Sequence, residues 1–237
     1  MKRLLMLSVL TVLCALGRPA LAAARYTVVT VDPVRDRLEL FLNDEAGAPF
    51  KSFKRLESWL LFRNRKLVFA MNAGMYHADF SPVGLLVQEG ARTAPLNLDD
   101  GFGNFFLKPN GVFLLTKTGA KVIAADEYPA LKRTVLLATQ SGPLLLRHGE
   151  IHKAFNPAST SRHIRNGVGI VKGKAVFVIS EQPVTFYEMA AFFRDKLHCR
   201  DALYFDGSVS SIYSAELGRH DTHSVMGPIL AVVKKKK

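Results

Sequence analysis

The sequence predicts an α+β fold, a single domain with one large twisted mixed sheet, mainly antiparallel, and a few packed helices. Runs rich in β-branched and aromatic residues recur along most of the chain, as is typical of strands. Several are separated by short turns such as Lys172-Gly173-Lys174, which favours antiparallel hairpins over regular βαβ alternation. Only two segments have a helical period.

The strands follow from apolar runs bounded by turn residues. In chain order they are predicted at residues 26–31, 38–42, 66–71, 83–88, 104–107, 111–115, 134–139, 168–171, 175–180, 202–205 and 229–233.

The two helices follow from apolar side chains that recur at three- and four-residue steps, which places them on one helical face. Thr185 and Glu188 form a capping-box pattern at the start of the second helix. We expect both apolar faces to pack against the sheet. Their members are Phe53, Leu56 and Leu60 in the first helix, and Phe186, Met189, Ala190, Phe193 and Leu197 in the second.

The first residues predict a cleavable signal peptide over residues 1–24. Lys2 and Arg3 precede an apolar run at residues 4–16, and Ala20-Leu21-Ala22 offers a cleavage pattern. A membrane anchor is the competing interpretation, but the run is shorter than the roughly 20 residues that span a bilayer. We therefore expect a periplasmic or secreted protein with no integral membrane segment after cleavage.

The remaining chain predicts one domain at residues 25–233 and a disordered basic tail at residues 234–237. The formal charge of +12 includes three positive residues of the signal, so the processed chain remains strongly basic. A basic surface favours anionic partners such as phosphorylated glycans. The sequence lacks the interleaving of aromatic and basic residues that is typical of a nucleic-acid-binding surface. After cleavage Cys199 is the remaining cysteine, and we expect a buried structural thiol. The oligomeric state is left open.

Several familiar catalytic patterns are absent from the sequence. It has no Walker loop, dinucleotide-binding glycine fingerprint, nucleophile elbow or zinc-protease helix. The histidine pairs His148/His152 and His220/His223 do not complete a metal site. We therefore predict neither a metal nor a cofactor.

Polar clusters stand where three apolar runs end, at residues 71–76, 140–143 and 206–211. Strand ends can hold polar groups at the mouth of a cleft, and Gly-Ser turns present backbone N–H groups to anionic oxygens. Ordinary turns are the alternative for any one of these clusters.

Taken together and in this order, the clusters resemble the phosphodiester glycosidase family. This family includes the animal enzyme that uncovers mannose 6-phosphate on lysosomal proteins, and bacterial exported proteins once linked to exopolysaccharide biosynthesis. One departure is that family members often carry DGGGS, whereas Gly207 is followed here by Ser208-Val209-Ser210. The matching stretches are MNAGMY at 71–76, PNGVF at 109–113, SGPLL at 141–145, RNGVGI at 165–170, SEQPVTFYEMAAFF at 180–193, DALYFDGSVSS at 201–211 and GPILAVV at 227–233.

The resemblance implies a hydrolase that cleaves the glycosidic bond of a sugar-1-phosphodiester in the cell envelope, with a phosphorylated sugar or glycan as substrate. Such cleavage passes through an oxocarbenium-like state that a carboxylate stabilises. Because the departing phosphate is already a stable anion, cationic stabilisation matters more than a strong general acid. One carboxylate and one arginine would suffice.

Asp206 is the first catalytic candidate, because it ends an apolar run and precedes Gly207, which leaves room for a ligand. It could act as nucleophile, base or electrostatic stabiliser. Glu181 also follows a strand and is the second candidate. The alternatives are an Asx turn at Asp206 and a solvent-facing side chain at Glu181.

Arg165, in the stretch that matches the family, is the expected phosphate fork, with Arg162 and His163 near enough in sequence to share the task. Asn72 and Asn110 are expected to hydrogen-bond sugar hydroxyls or to orient the carboxylate. The remaining substrate-binding candidates are Gly74, Tyr76, Ser141, Gly142, Gly207, Ser208 and Ser210.

Two other functions stay open at this point. One is a non-catalytic protein that binds anionic envelope glycopolymers, and the other is a phosphodiesterase that cuts the P–O bond. The released product separates them, since free sugar indicates glycosidic cleavage and sugar phosphate indicates P–O cleavage.

Overall fold

The computed structural model describes residues 25–236, so the signal peptide expected at residues 1–24 lies outside the described range. The strands and two helices confirm the α+β class. The expectation of one large mixed sheet is wrong, because the strands of the described range form three sheets whose pairs are all antiparallel. Strands twist, and several smaller sheets can close around a shared core more readily than one very wide sheet.

The first sheet contains the apolar run KAVFVIS, a strand buried at every position except its first. The turn Lys172-Gly173 has positive φ at both residues (48° and 77°), which matches the hairpin predicted there. In spatial order its strands are β1 (Tyr26–Val31), β12 (Lys174–Ser180), β11 (Asn166–Val171), β13 (Ala202–Tyr204), β9 (Leu144–Arg147) and β10 (Glu150–Ile151).

The second sheet corrects the prediction of a disordered tail. Its strand at Ile229–Lys235 continues through Lys234 and Lys235, which pair with Lys66 and Arg65. Backbone hydrogen bonding therefore orders part of the basic end despite the like charges placed side by side. In spatial order the strands are β15 (Arg219–His220), β14 (Ile212–Ser214), β3 (Arg65–Asn72), β16 (Ile229–Lys235) and β2 (Leu38–Phe41).

The third sheet lies beside a segment whose structure was predicted wrongly. Residues 104–107 were expected to form a strand, but Asn104–Phe106 is a 3-10 turn that follows Gly103, whose φ is 94°. A short apolar run fits a buried turn as well as a strand. The strands in spatial order are β5 (Ala91–Ala94), β4 (Leu86–Gln88), β8 (Val135–Ser141), β6 (Gly111–Thr116) and β7 (Gly119–Ala124).

The helices confirm the predicted apolar faces. Helix α1 (Phe53–Leu61) buries Phe53, Leu56 and Leu60 against the second sheet. Helix α2 (Phe186–Ala191) packs on the first sheet and continues as a π turn at Phe192–Lys196. The predicted capping box is present, since the Thr185 hydroxyl accepts from Glu188 N at 3.1 Å and the Glu188 carboxylate accepts from Thr185 N at 3.0 Å. Further 3-10 turns span Ala125–Ala130 and Gly207–Val209.

The main core lies between the three sheets. Phe69, Phe113 and Phe177 come from different sheets, and the Phe177 ring lies 5.0 Å from Phe69 and 5.9 Å from Phe113. Burial of each ring stabilises the fold by about 2 kcal/mol. Cys199 is buried with a free thiol, as predicted. The shared core fixes the three sheets relative to one another, so side chains at their strand ends can come into contact.

Candidate active site

Strand ends from all three sheets converge on one loop, residues 206–211, which we call the Asp206 loop. Strand β3 ends at Asn72, β8 ends at Ser141, and β11 begins at Asn166. Each of these three residues forms hydrogen bonds to the loop or to the residue before it. The clusters that the sequence placed at separate strand ends are therefore brought together.

The buried Asn72 side chain fixes the Asp206 loop. Its Oδ1 accepts from Asn166 Nδ2 at 2.8 Å and from Ser211 N at 2.9 Å, and its Nδ2 donates to the Asp206 carbonyl at 3.1 Å. Only 2% of Asn72 is exposed. Of the two roles predicted for Asn72, the geometry excludes contact with sugar hydroxyls and favours positioning of the segment that carries the carboxylate.

Buried hydroxyl groups complete this network. Ser141 Oγ donates to the Phe205 carbonyl at 3.0 Å. Ser210 Oγ lies 3.2 Å from the Ile164 carbonyl and 3.3 Å from Asn166 Oδ1. Ser141 and Ser210 were predicted to bind substrate, but both hydroxyls are engaged within the protein and both residues are buried.

Asp206 stands at the edge of the network and is half-buried. One carboxylate oxygen accepts from Ser208 N at 3.0 Å, which is the Asx-turn geometry weighed as an alternative. Burial raises the pKa of Asp206 above its ordinary value of 3.8, and the hydrogen bonds from Ser208 oppose this shift. A carboxylate that is partly withdrawn from water in this way is a stronger electrostatic partner for a developing cation.

Two tyrosines, Tyr76 and Tyr204, lie near enough to Asp206 for its charge to affect their pKa values. Burial and then the charge of Asp206 raise the pKa of Tyr76. Burial raises the pKa of Tyr204 to about 12, with a contribution from Asp206 and an opposing one from Arg165. Both phenols therefore stay protonated and neutral beside Asp206. The Tyr76 hydroxyl donates to the Val225 carbonyl at 2.7 Å.

Gly207 is required by close packing. A Cβ at this position would overlap the Tyr204 hydroxyl, and Tyr204 is itself buried. The sequence argument was that Gly207 leaves room for a ligand beside Asp206, but the space that a Cβ would need is taken by Tyr204.

Arg165 is buried behind Tyr204, which corrects its predicted role. Only 2% of the residue is exposed, its guanidinium stacks 3.7 Å from the Phe186 ring, and its Nε donates to the Val184 carbonyl at 2.9 Å. It forms no salt bridge to a carboxylate among residues 25–236. Burial lowers the pKa of Arg165, and Tyr204 opposes this. The prediction that Arg165 is an open, bidentate phosphate ligand is therefore wrong. Its positive charge can act on the site through Tyr204.

A polar cleft of about 440 Å³ lies along the Asp206 loop, beside Gly207 and Ser208. We call it the Arg219 cleft. Arg219 binds Asp221 through two nitrogens at 3.0 and 3.1 Å and also forms an ion pair with Glu181. Glu181, the second carboxylate candidate, is thus held by a cation. The polar residues that line the cleft are His163, Ser180, Glu181, Ser208, Ser210, Arg219, Asp221 and His223.

The other predicted residues lie away from open surfaces or serve the fold. Arg162 forms a two-point ion pair with Glu188 at 2.6 and 2.9 Å, so its guanidinium is engaged at the start of α2. Asn110 is buried and donates to the Phe105 carbonyl at 3.0 Å. Added Cβ atoms would overlap neighbouring residues at Gly74 and Gly142, which marks both as packing positions.

Tyr204, Asn166, Arg219, Asp221 and His223 are site residues that the sequence did not reveal as candidates. Tyr204 had a usable signal, because residues two apart in a strand share a face and Tyr204 precedes Asp206 by two. Arg219 and Asp221 share the same spacing. No local sequence pattern indicated that Arg219 would form an ion pair with Glu181.

Within residues 25–236, no group of three or more His, Cys, Asp or Glu side chains has an arrangement that could hold a metal ion. The helices of that range include none that is long and apolar enough to cross a membrane.

Comparison with known proteins identifies the family of the chain. A family model described as phosphodiester glycosidase matches residues 65–227, which include Asn72, Arg165 and Asp206. The chain belongs to the phosphodiester glycosidase family. This confirms the resemblance identified from the strand-end motifs.

Two similar proteins extend the comparison beyond the phosphodiester glycosidase model. The uncharacterised Escherichia coli protein YigE is 35% identical over 201 residues, which cover 84% of this chain and 77% of YigE. The zebrafish N-acetylglucosamine-1-phosphodiester alpha-N-acetylglucosaminidase catalytic domain, auto-inhibited by its pro-peptide, superposes with a TM-score of 0.61 at 15% identity. That match covers 89% of this chain and 83% of the zebrafish chain and shows a shared fold.

Proposed function

We propose that this protein is an exported hydrolase that cleaves the bond between a sugar's anomeric carbon and a phosphate in the cell envelope. The observation that carries the proposal is that half-buried Asp206 and the buried cation Arg165 are both placed beside Tyr204. The Arg165 guanidinium lies 5.6 Å from the Tyr204 ring, and the Tyr204 hydroxyl packs on Gly207, which follows Asp206. Membership of the phosphodiester glycosidase family supports the reaction type. The sugar, the cell-envelope location and the role of each residue belong to the proposal.

Asp206 is the group that stabilises positive charge at the anomeric carbon. As the C1–O bond breaks, its electron pair leaves on the phosphate oxygen, and water finally supplies the hydroxyl of the released sugar. The other product is a phosphate monoester. Asp206 acts either as the nucleophile or as the base for water, and both roles require its ionised form.

Arg165 supplies positive potential for the departing phosphate. A buried cation without a carboxylate partner is costly unless other groups compensate it. Stacking on Phe186 and hydrogen bonds to the Val184 and Ser161 carbonyls compensate part of that cost. An anionic phosphate at the Asp206 loop would offset the rest of the cost of burying the Arg165 charge, with Tyr204 between the two groups. The departing phosphate then needs no strong general acid.

The test is hydrolysis of UDP-N-acetylglucosamine, followed by product analysis. Free N-acetylglucosamine with UDP supports the proposal, whereas sugar phosphate with UMP supports the P–O phosphodiesterase. Saturable binding without product supports the non-catalytic binder.

Variants test the site itself. Asp206→Asn is expected to lower kcat by about 10²-fold or more, and Arg165→Lys by a comparable amount. Arg162→Ala is the matched control, since this arginine is committed to Glu188 at the surface. Circular dichroism must show that each variant is folded, and full activity in folded Asp206→Asn would remove the assignment.

Export is tested separately. Cell fractionation should place the protein in the periplasm or medium, and amino-terminal sequencing of the isolated protein should begin near Ala23 or Arg25. Retention of residues 1–24 on a membrane-bound protein would favour the anchor.

A further inference from the structure

The end of the second sheet opposite the Asp206 loop carries a cluster of lysines and two exposed apolar side chains. Strand β3 runs from Arg65 to Asn72, so its first residues lie roughly 20 Å from the end that holds the loop. The proposed function uses no residue of this cluster. We call it the Phe62 patch, and its members are Leu61, Phe62, Lys66, Lys234, Lys235 and Lys236, all of them exposed.

Backbone pairing brings the members of the Phe62 patch together from two distant parts of the chain. Lys234 of β16 is the cross-strand partner of Lys66 in β3. Lys236 N then donates to the Asn64 carbonyl at 2.8 Å, which fixes the end of β16 beside the turn between α1 and β3. Phe62 belongs to that turn. The apolar and basic side chains therefore share one end of the sheet.

The charges of the patch are not neutralised by the protein. Within residues 25–236, the lysines of the patch form no ion pair with a carboxylate. Glu39 and Glu45 are bound instead by the arginines at positions 65 and 63. Like charges directly opposite each other on paired strands destabilise a sheet, so the pairing of Lys66 with Lys234 costs free energy. An anionic partner at the patch would offset that cost.

Phe62 distinguishes the patch from an ordinary basic surface. Its side chain is 90% exposed, and that of the adjacent Leu61 is 44% exposed. Contact of an aromatic ring with water is unfavourable, whereas a lipid bilayer can receive the ring at the boundary between headgroups and acyl chains. A soluble acidic polymer has no apolar interior of this kind. The combination of lysines with an exposed ring therefore favours an anionic lipid surface as the partner.

We propose that the Phe62 patch docks the protein on an anionic lipid bilayer. The lysines attract the headgroups, and Phe62 enters the boundary with the acyl chains. Because the patch and the Asp206 loop lie at opposite ends of β3, the docked protein turns its candidate active site away from the bilayer. Docking does not require hydrolysis, so it can be tested apart from the proposed function.

Vesicle sedimentation tests docking with the protein as isolated from cells. Vesicles of one part phosphatidylglycerol to two parts phosphatidylcholine should bind the protein at least about tenfold more tightly than vesicles of phosphatidylcholine alone. Binding to the anionic vesicles should weaken as salt is added, because salt screens exposed charges. Equal binding to both kinds of vesicle would overturn the proposal.

Lysine variants test whether the patch itself is responsible. Each lysine near an anionic surface contributes about fivefold in affinity, so loss of three should weaken vesicle binding about 10²-fold. The matched control removes three exposed lysines outside the second sheet and should change binding by less than about threefold. Equal losses in the two variants would indicate attraction by net charge alone and would overturn the patch. The patch variant is K234Q/K235Q/K236Q, and the control is K121Q/K132Q/K153Q.

Phe62→Ser tests the apolar contact and should weaken vesicle binding about tenfold. Phe102→Ser is the matched control, since Phe102 is also fully exposed, at 101%, but lies outside the second sheet, and it should leave binding unchanged. Heparin, a soluble polyanion, is bound in parallel. Unchanged vesicle binding in Phe62→Ser, with equal losses for heparin and vesicles in the lysine variant, would identify a general polyanion site and overturn the lipid assignment. Circular dichroism should show the native fold in every variant, because each replaced side chain is exposed.

Discussion

Replacement of Asn72 by alanine tests whether the buried amide network holds the Asp206 loop. The Asn72 side chain makes hydrogen bonds to Asn166 Nδ2, Ser211 N and the Asp206 carbonyl and is 2% exposed. Alanine leaves all three partner groups buried without this side chain. Asn166 Nδ2 keeps its hydrogen bond to the backbone carbonyl of residue 72, and the Asp206 carbonyl keeps one from Ser210 Oγ. At about 1–3 kcal/mol for the Ser211 N–H left unpaired and about 1 kcal/mol for each of the other two lost hydrogen bonds, the expected loss is roughly 3–5 kcal/mol of unfolding free energy.

That loss is a large part of the stability of an ordinary domain, about 5–15 kcal/mol. Urea unfolding followed by circular dichroism measures it, and the slope of free energy against urea should stay constant so that midpoints can be compared. Activity on UDP-N-acetylglucosamine, once established, should fall by more than the fraction of unfolded protein explains. The reason is that the Asp206 loop loses the hydrogen bonds that hold it.

Asn156→Ala is the matched control for this measurement. Asn156 is exposed and its side chain accepts one hydrogen bond, from Ala158 N at 2.8 Å. We expect a loss of at most about 1 kcal/mol. A comparable cost for both variants, or a cost below about 1 kcal/mol for Asn72→Ala, would refute the network as the support of the loop.

Three further outcomes are expected. Gly207→Ala should lower kcat at least about tenfold, because its Cβ overlaps the Tyr204 hydroxyl, and Tyr204→Phe in the same chain should recover part of the loss; no recovery would contradict the contact. Burial raises the pKa of Asp206 above 3.8, so kcat/KM should fall as pH decreases through a midpoint above 3.8, and a lower midpoint would contradict a buried carboxylate. Burial raises the pKa of Cys199 to about 12, so a thiol reagent near pH 8 should modify it only after unfolding, and rapid modification of the folded protein would count against this environment.

Local patterns predicted the longer strands and both helices because these elements carry strong apolar periodicity. The short strands at Ile212–Ser214 and Arg219–His220 have no such pattern. Strand β3 supplies an edge for the first of them, and the first then pairs with the second. Division into three sheets depends on pairings such as β1 with β12, whose residues are distant in the chain. Periodicity carries no information about such partners.

The candidate site was predicted in its location and only partly in its roles. Polar residues at strand ends indicated Asp206 and its loop. The sequence did not reveal that Arg165 would be covered by Phe186 and Tyr204, because burial of a polar side chain depends on residues far along the chain. The ion pair between Glu181 and Arg219 depends on tertiary contacts in the same way.

The amide network draws Asn72, Ser141 and Asn166 from three different sheets to one loop. The Asp206 carboxylate is thus oriented only when all three sheets have packed together. A chain in which only two of the sheets have packed together would be inactive under the proposed function. Hydrolytic activity should therefore appear in the last step of folding and can report complete folding.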